Sequence, residues 1–292
     1  MINLKTTRLL GHRGARSEAP ENTLFGFQHA HNLQARGLAG IEFDVQLTAD
    51  GHLVVFHDDT LLRLCGLQSR IDQLSLVEIQ RYLQSGHQII TLDALSQALP
   101  LTLKEIAASK LSAAQLLSEL QKRARNSLYG LPNIAPFLSA TSSVESQAHA
   151  LTRFTHIELE VKTHDRTNYR QLIKALANYL VDSPLASLPI VITSFDTYLH
   201  AKIQRHKSLN KLRRGLLVRT QQDLNNEPNT ALQLGCSQLG IYYPLLTRAV
   251  IQNCHRYGLP VSAWTVNDIE AVKQLIDWQV DFIITDIPTQ LL

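Results

Sequence analysis

Strong charge is missing from this sequence. The 292 residues carry a net charge of +3 with histidine neutral. That is too small to argue for a nucleic-acid partner, although it leaves room for a local positive pocket around an anionic substrate. The two short basic runs, Lys122–Arg125 and Lys211–Arg214, read as solvated surface. Cysteine is scarce as well. Cys65, Cys236 and Cys254 are odd in number and scattered, with no CxxC or Cys/His spacing. A disulfide framework and a thiolate metal site are therefore not expected, and buried free thiols in a reducing compartment are. No apolar stretch reaches the roughly 18 residues that a spanning helix needs. The N-terminus, MINLKTTRLLGHRG, has neither the apolar core nor the small-residue cleavage site of a signal peptide. The expectation is a soluble, cytoplasmic chain with no stable membrane insertion. No internal repeat or low-complexity tract stands out.

What the chain does have is apolar content. The hydrophobic fraction is 45% against 18% charged, which suits a sizeable core. Short β-type runs alternate with amphipathic stretches, the pattern of parallel strands joined by helices. Candidate strands are Arg8–His12, Gly40–Val45, His52–His57, His156–Lys162, Pro189–Ser194, Arg214–Arg219, Gln238–Tyr242, Pro260–Thr265 and Phe282–Thr285. This is one more than a closed eight-stranded barrel requires. Between Val45 and Leu53 stands only QLTADGH, with Asp50-Gly51 as a turn signal. A parallel crossover needs a dozen or so residues, so these two segments are expected to form an antiparallel hairpin. The predicted fold is a single α/β domain over 1–292, a TIM-type (β/α)8 barrel that is irregular around strands 2–3.

Helix starts punctuate the pattern. Ser75 and Glu78 form a capping box opening a helix near Val77–Leu83. Asp196 is placed to cap the helix after the strand ending at Ser194, and Asn267 or Asp268 the one after Trp264. Residues 101–155 read as a helical insertion. Ser112 and Gln115 make a second capping box, apolar residues recur at helical spacing from Ala113 to Ala124, and Gly130 and Pro132 end the run.

Four clusters lie at the C-terminal ends of candidate strands, where barrels of this type place their reactive groups. The first is His12-Arg13-Gly14. It combines a proton-moving imidazole, a phosphate-matching guanidinium and a glycine that lets backbone approach a ligand closely. The second is Glu42-Phe43-Asp44. Residues two apart on a strand share a face, so two carboxylates repel each other unless a divalent cation joins them. Ile41, Phe43 and Val45 would then face the helices. In the third, Val54 to Asp59, a β-rich run ends in His57, which with His12 would supply an acid and a base. In the fourth, Glu158, Glu160 and Lys162 alternate with apolar residues. Either Glu160 completes a metal site and Lys162 meets a phosphate, or the strand is a solvent-facing edge. His29 and His31 make an HxH on a helical stretch, where they point apart and do not chelate.

These clusters, in this order, resemble the glycerophosphodiester phosphodiesterase family. The similarity runs through HRGARSEAPENT (12–23), IEFDVQLTADGHLVVFHDDTLLR (41–63), ITLDAL (90–95), IELEVK (157–162), ITSF (192–195), AWTVND (263–268) and DFIITDIP (281–288). The resemblance implies that His12 and His57 are the catalytic acid and base, and that Glu42, Asp44 and Glu160 hold one divalent cation, Mg²⁺ or Ca²⁺. It implies that Arg13 and Lys162 bind the phosphate, and that Trp264 walls the pocket, where core packing is the alternative. The implied reaction converts a small-molecule glycerophosphodiester to an alcohol and glycerol 3-phosphate through a cyclic phosphate. Departures are Leu62 where the family often has Asp, Glu158 where Asn is frequent, and the long 101–155 segment. They touch no proposed catalytic residue. They bear on the substrate, because loops beyond the strands form the pocket walls. The rival readings are a metal-independent phospholipase C-like barrel, a lysophospholipase D-like activity on larger lipids, and a catalytically silent barrel that only binds a phosphodiester. The carboxylate trio argues against the first, and the full set of reactive residues against the last.

Overall fold

A computed structural model describes residues 2–82, 90–92 and 154–292. Eight parallel strands close into a barrel: β1 (Arg8–His12), β2 (Leu38–Leu47), β5 (His156–Val161), β6 (Ile190–Ser194), β7 (Arg213–Val218), β8 (Gln238–Tyr242), β9 (Val261–Trp264) and β10 (Phe282–Thr285). Closure is made by β1, which pairs in parallel with both β10 and β2. The remaining two strands lie outside the barrel. The short β3 (Leu53–Val55) runs antiparallel to β2, with Val45 opposite Val55, and β4 (Ile90–Thr91) runs antiparallel to β3. The hairpin expected from the short QLTADGH connection is therefore present, and it accounts for the ninth candidate strand. That strand is shorter than expected, so His57 stands beyond it in a loop.

Strand alternation sorts the side chains. On β2, Ile41, Phe43 and Val45 are buried in the large cluster between strands and helices. Glu42 and Asp44 take the opposite, inward parity. On β5 the solvent-facing alternative fails: Glu158 is 1% exposed and stands inside the barrel. There it accepts from Gln238 Nε2 at 2.6 Å and from Ser262 Oγ at 3.4 Å, and His156 Nε2 lies 3.3 Å away. The His156 ring stacks on Phe282 at 3.9 Å. A smaller second core, of Val54, Phe56, Leu61, Ile71, Leu76 and Ile79, lies under the β3 segment.

Helix ends follow the capping signals. Ser75 N–H donates to Glu78 Oε2 at 2.8 Å at the start of Leu76–Tyr82. Asp196 Oδ1 accepts from the N–H of Tyr198 and Leu199 at the start of Thr197–Arg205. Of the two candidates after Trp264, Asp268 caps Ile269–Asp277 and Asn267 serves elsewhere. His29 and His31 point apart as expected: His29 pairs with Glu18 at 2.7 Å, and the His31 ring lies edge-on to Phe154.

One surface assignment is corrected. Arg214, in the run Lys211–Arg214, is 3% exposed and donates to the carbonyls of His200, Leu234 and Gly235. Its outward strand position turns it into the helix layer, where orphan carbonyls at loop ends need donors. All three cysteines are free, with Cys236 and Cys254 buried and Cys65 half-buried. No helix among the described residues is long and apolar enough to cross a membrane. The predicted insertion lies outside the described residues except for Phe154 and Thr155, and so does the basic run Lys122–Arg125.

Candidate active site

The parallel register brings inward positions of β1, β2 and β5 to one end of the barrel. His12 pairs with Glu42, Glu42 with Glu158, and Asp44 with Glu160. Oxygen atoms of Glu42, Asp44 and Glu160 lie within 4.8 Å of one another. After His12 the chain turns sharply, with Arg13 at φ 49° and Gly14 at φ 93°. The turn presents the Arg13 N–H to Glu42 Oε2 at 3.2 Å. The close approach at Gly14 is to backbone: a Cβ there would meet the Gly26 carbonyl carbon at 2.8 Å. The glycine is thus explained by packing against the first helix.

The carboxylates differ in their surroundings. Burial, with Asp44 and Glu160 adding repulsion, pushes Glu42 well above the usual carboxylate range. Burial also raises Glu160, outweighing Lys162. Asp44 goes the other way: against the effect of burial, Lys162, Arg13 and His57 hold it far below that range, and Asn22 Nδ2 donates to its Oδ2 at 3.0 Å. Lys162 Nζ bridges Asp44 Oδ1 at 3.1 Å and Glu160 Oε1 at 2.6 Å. Arg13 Nε lies 3.2 Å from Asp44 Oδ2, and its Nη1 donates to Glu21 Oε1 at 2.8 Å. Two cations thus face three clustered carboxylates. An all-oxygen donor set with surplus negative charge suits a hard divalent cation.

Each sequence-predicted histidine is fixed through Nδ1. His12 Nδ1 lies 2.6 Å from Asp286 Oδ1, and its Nε2 is 3.7 Å from Glu42 Oε2. His57 Nδ1 lies 2.7 Å from Asp58 Oδ1. Burial lowers both imidazole pKa values, against the pull of Asp286 on His12 and of Asp44 on His57. Both therefore lean toward the neutral form, with Nε2 as the atom able to take or give a proton.

Sequence reasoning missed the groups that hold these residues. Asp286 belongs to DFIITDIP and sits two residues beyond the inward Ile284, so strand parity was the signal for it. Asn267 Nδ2 donates to Asp286 Oδ2 at 2.8 Å, and Asn267 Oδ1 accepts from the Asp286 N–H at 2.9 Å. Arg63 grips Asp58 through Nε at 2.6 Å and Glu21 through both terminal nitrogens. Burial notwithstanding, Arg63 and Arg13 lower Glu21 to about 2, and Arg63 and His57 lower Asp58 to about 2.

Trp264 lies among apolar and aromatic side chains. It packs on Leu10, Phe282 and Ile284 inside the barrel. It also stands edge-on to Phe195 at 5.6 Å and tilted against Tyr242 at 5.4 Å at the barrel mouth.

Comparison with known proteins agrees with this fold. The sequence profile of the Glycerophosphoryl diester phosphodiesterase family matches residues 12–290. A glycerophosphodiester phosphodiesterase of Caldanaerobacter subterraneus subsp. tengcongensis is 28% identical, over 98% of this chain and 96% of that protein. One from Bacillus altitudinis is 25% identical, over 97% and 95%. Among solved structures, an Oleispira antarctica phosphodiesterase in complex with the product sn-glycerol-3-phosphate superposes with a TM-score of 0.67 at 21% identity, over 98% of this chain and 95% of that one. The glycerophosphodiester phosphodiesterase of Thermotoga maritima gives 0.61 at 21% identity, over 97% and 96%. With a profile match over nearly its whole length on a barrel of the same fold, the chain belongs to the glycerophosphoryl diester phosphodiesterase family and is a phosphoric diester hydrolase.

Proposed function

We propose that the protein hydrolyses glycerophosphodiesters to an alcohol and glycerol 3-phosphate, using His12 and His57 as acid and base beside one divalent cation, Mg²⁺ or Ca²⁺. The observation that carries this reading is the meeting of a buried three-carboxylate cluster with two histidines whose Nδ1 atoms are each held by a separate aspartate. Glu42, Asp44 and Glu160 would hold the cation, which when bound offsets negative charge on the phosphoryl oxygens.

The chain's own groups do the rest. Nε2 of one histidine takes the proton of a glycerol hydroxyl as its oxygen attacks phosphorus, and Nε2 of the other protonates the leaving alcohol. Water then opens the resulting cyclic phosphate to glycerol 3-phosphate, with the two histidines exchanging roles. Asp286 and Asp58 keep each ring in the tautomer that frees Nε2, and favour the imidazolium that forms when it accepts a proton. Arg13 and Lys162, already beside Asp44, orient the phosphate and meet the charge that grows on it in the transition state. Trp264 walls the pocket. Three free thiols fit a reducing, cytoplasmic setting.

The test is release of glycerol 3-phosphate from glycerophosphocholine and glycerophosphoethanolamine with Mg²⁺, with Ca²⁺ and with EDTA, with a lysophospholipid alongside. Metal-dependent release is expected. Turnover that survives exhaustive chelation would defeat the metal assignment. His12→Ala and His57→Ala should each lose about 10²–10⁴-fold in kcat. A fully active His12→Ala enzyme would remove that residue from the acid–base pair. Glu42→Gln should raise the metal concentration needed for half-maximal binding, read by calorimetry without substrate.

A further inference from the structure

Half of the barrel mouth is not accounted for by the reactive groups. Following inward parity around the sheet, Glu160 pairs with Thr193, Thr193 with Gly215, Leu217 with Gly240, and Tyr242 with Trp264. Inward positions two residues apart share a face, so Phe195, Arg219, Tyr242 and Trp264 all turn toward the mouth at four successive strand ends. Phe195 stands two residues beyond the cross-strand neighbour of Glu160, about 7 Å further along the strand direction. These four residues thus form a rim above the carboxylates, on the side away from His12 and His57.

The rim has an unusual chemistry. Three aromatic rings line it, the arrangement that receives a quaternary ammonium when it is open. Here a cation belonging to the chain already lies against two of them, Phe195 and Trp264. The Arg219 guanidinium is 4.4 Å over the Phe195 ring and 5.7 Å from the Trp264 ring centroid. Arg219 is exposed and forms no ion pair with an acid among the described residues, so its guanidinium faces the mouth with its donors open to a ligand. Trp264 adds a second donor: its Nε1 is buried and has no hydrogen-bond partner. A buried donor without an acceptor is costly unless a ligand or water supplies one.

We infer that this rim reads the charge of the leaving alcohol, with Arg219 occupying the aromatic faces that a quaternary ammonium would use and favouring alcohols that carry a phosphate or carboxylate. The inference rests on the hydrolase reading above and names its substrate class. In this reading the phosphodiester sits at the carboxylate cluster with its leaving oxygen at a histidine Nε2, and the far end of the alcohol reaches across the mouth to the rim. A choline group arriving there meets a like charge on rings already covered. An anionic group meets a fork of guanidinium donors pre-positioned by stacking.

The experiment compares kcat/KM for three glycerophosphodiesters whose alcohols are cationic, neutral and anionic: glycerophosphocholine, glycerophosphoglycerol and glycerophosphoinositol 4-phosphate. The native enzyme should rank them anionic, neutral, cationic. Arg219→Gln should lower the anionic-to-choline ratio by about tenfold, and added salt should lower that ratio in the native enzyme more than in the variant. Arg219→Lys keeps the charge without the planar fork and should fall between the two. A ratio that moves by less than about twofold in Arg219→Gln, or a native enzyme that prefers choline, overturns the inference while leaving the hydrolase reading intact. A native enzyme that turns over none of the three overturns the hydrolase reading, and the inference falls with it.

Discussion

Glu21 shows how one side chain joins the two halves of the site. It accepts from Arg13, which lies against Asp44, and from Arg63, which holds Asp58 and through it His57. It is 7% exposed and titrates at about 2, because both arginines outweigh its burial. A carboxyl depressed in the folded state contributes stability that is present above its ordinary pKa of 4.5 and is lost as pH falls toward about 2. Glu21→Gln should therefore cost on the order of 2–3 kcal/mol at pH 7, and the gap to the native protein should narrow below about pH 4.5. Urea unfolding of both proteins between pH 7 and pH 3 measures it, and a gap independent of pH would contradict the ion-pair account. This network was not legible in the sequence. His12, His57, Glu42, Asp44 and Glu160 announce themselves by residue type at strand ends, whereas Glu21 and Arg63 acquire their role only from contact across 42 positions of chain. Asp286 is far more remote from His12, 274 positions along the chain.

At the scale of elements, alternation carried most of the information. Strict period-two patterns located the barrel strands, and the seven-residue QLTADGH link marked β2 and β3 as a hairpin because no crossover fits in it. The same patterns say little about strand length. β3 extends over only Leu53–Val55, because after one more bond, from the Phe56 N–H to the Asp44 carbonyl at 3.1 Å, the edge of β2 is taken by β1 at Glu42, and the two-residue β4 has no signal of its own. The spacing between strands was likewise hidden, and Gly40 shows why it matters. It stands inward on β2 between Leu10 of β1 and His156 of β5. A Cβ there would overlap the His156 carbonyl oxygen and press on Leu10 Cδ2 at 3.1 Å. Backbone cannot give way as a flexible side chain does, so Gly40→Ala should destabilise the fold by about 3 kcal/mol or more, measured by chemical denaturation. A cost under about 1 kcal/mol would mean that β2 and β5 can separate without penalty to the barrel.

Among the described residues, apolar side chains form a large strand–helix core, a smaller core under β3 and a three-residue cluster inside the barrel, and the proposed site straddles the first two. The metal-binding carboxylates stand on β2 and β5, inside a closed sheet whose outer face merges with the large strand–helix cluster. His57, Asp58 and Arg63 stand instead on the segment that follows β3, above the small cluster of Val54, Phe56, Leu61, Ile71, Leu76 and Ile79. β3 joins the two: Leu53 and Val55 face the large core and Val54 the small one. The barrel was legible in the sequence because it repeats, while the small core was not, since its six members follow no single period. A unit that buries so few apolar side chains opens at lower free energy than a closed barrel. In rising urea, turnover should therefore disappear before the far-UV circular dichroism of the barrel changes, as His57 and Arg63 leave with the small core. Metal binding should persist through that loss and follow the dichroism, because Glu42, Asp44 and Glu160 belong to the barrel. Backbone hydrogen exchange should agree, with amides of residues 53–82 exchanging faster than those of β5 and β6. If turnover, metal binding and dichroism were all lost in one transition, the two cores would unfold as a single unit, and the hold of β3 on both faces would be the stronger effect.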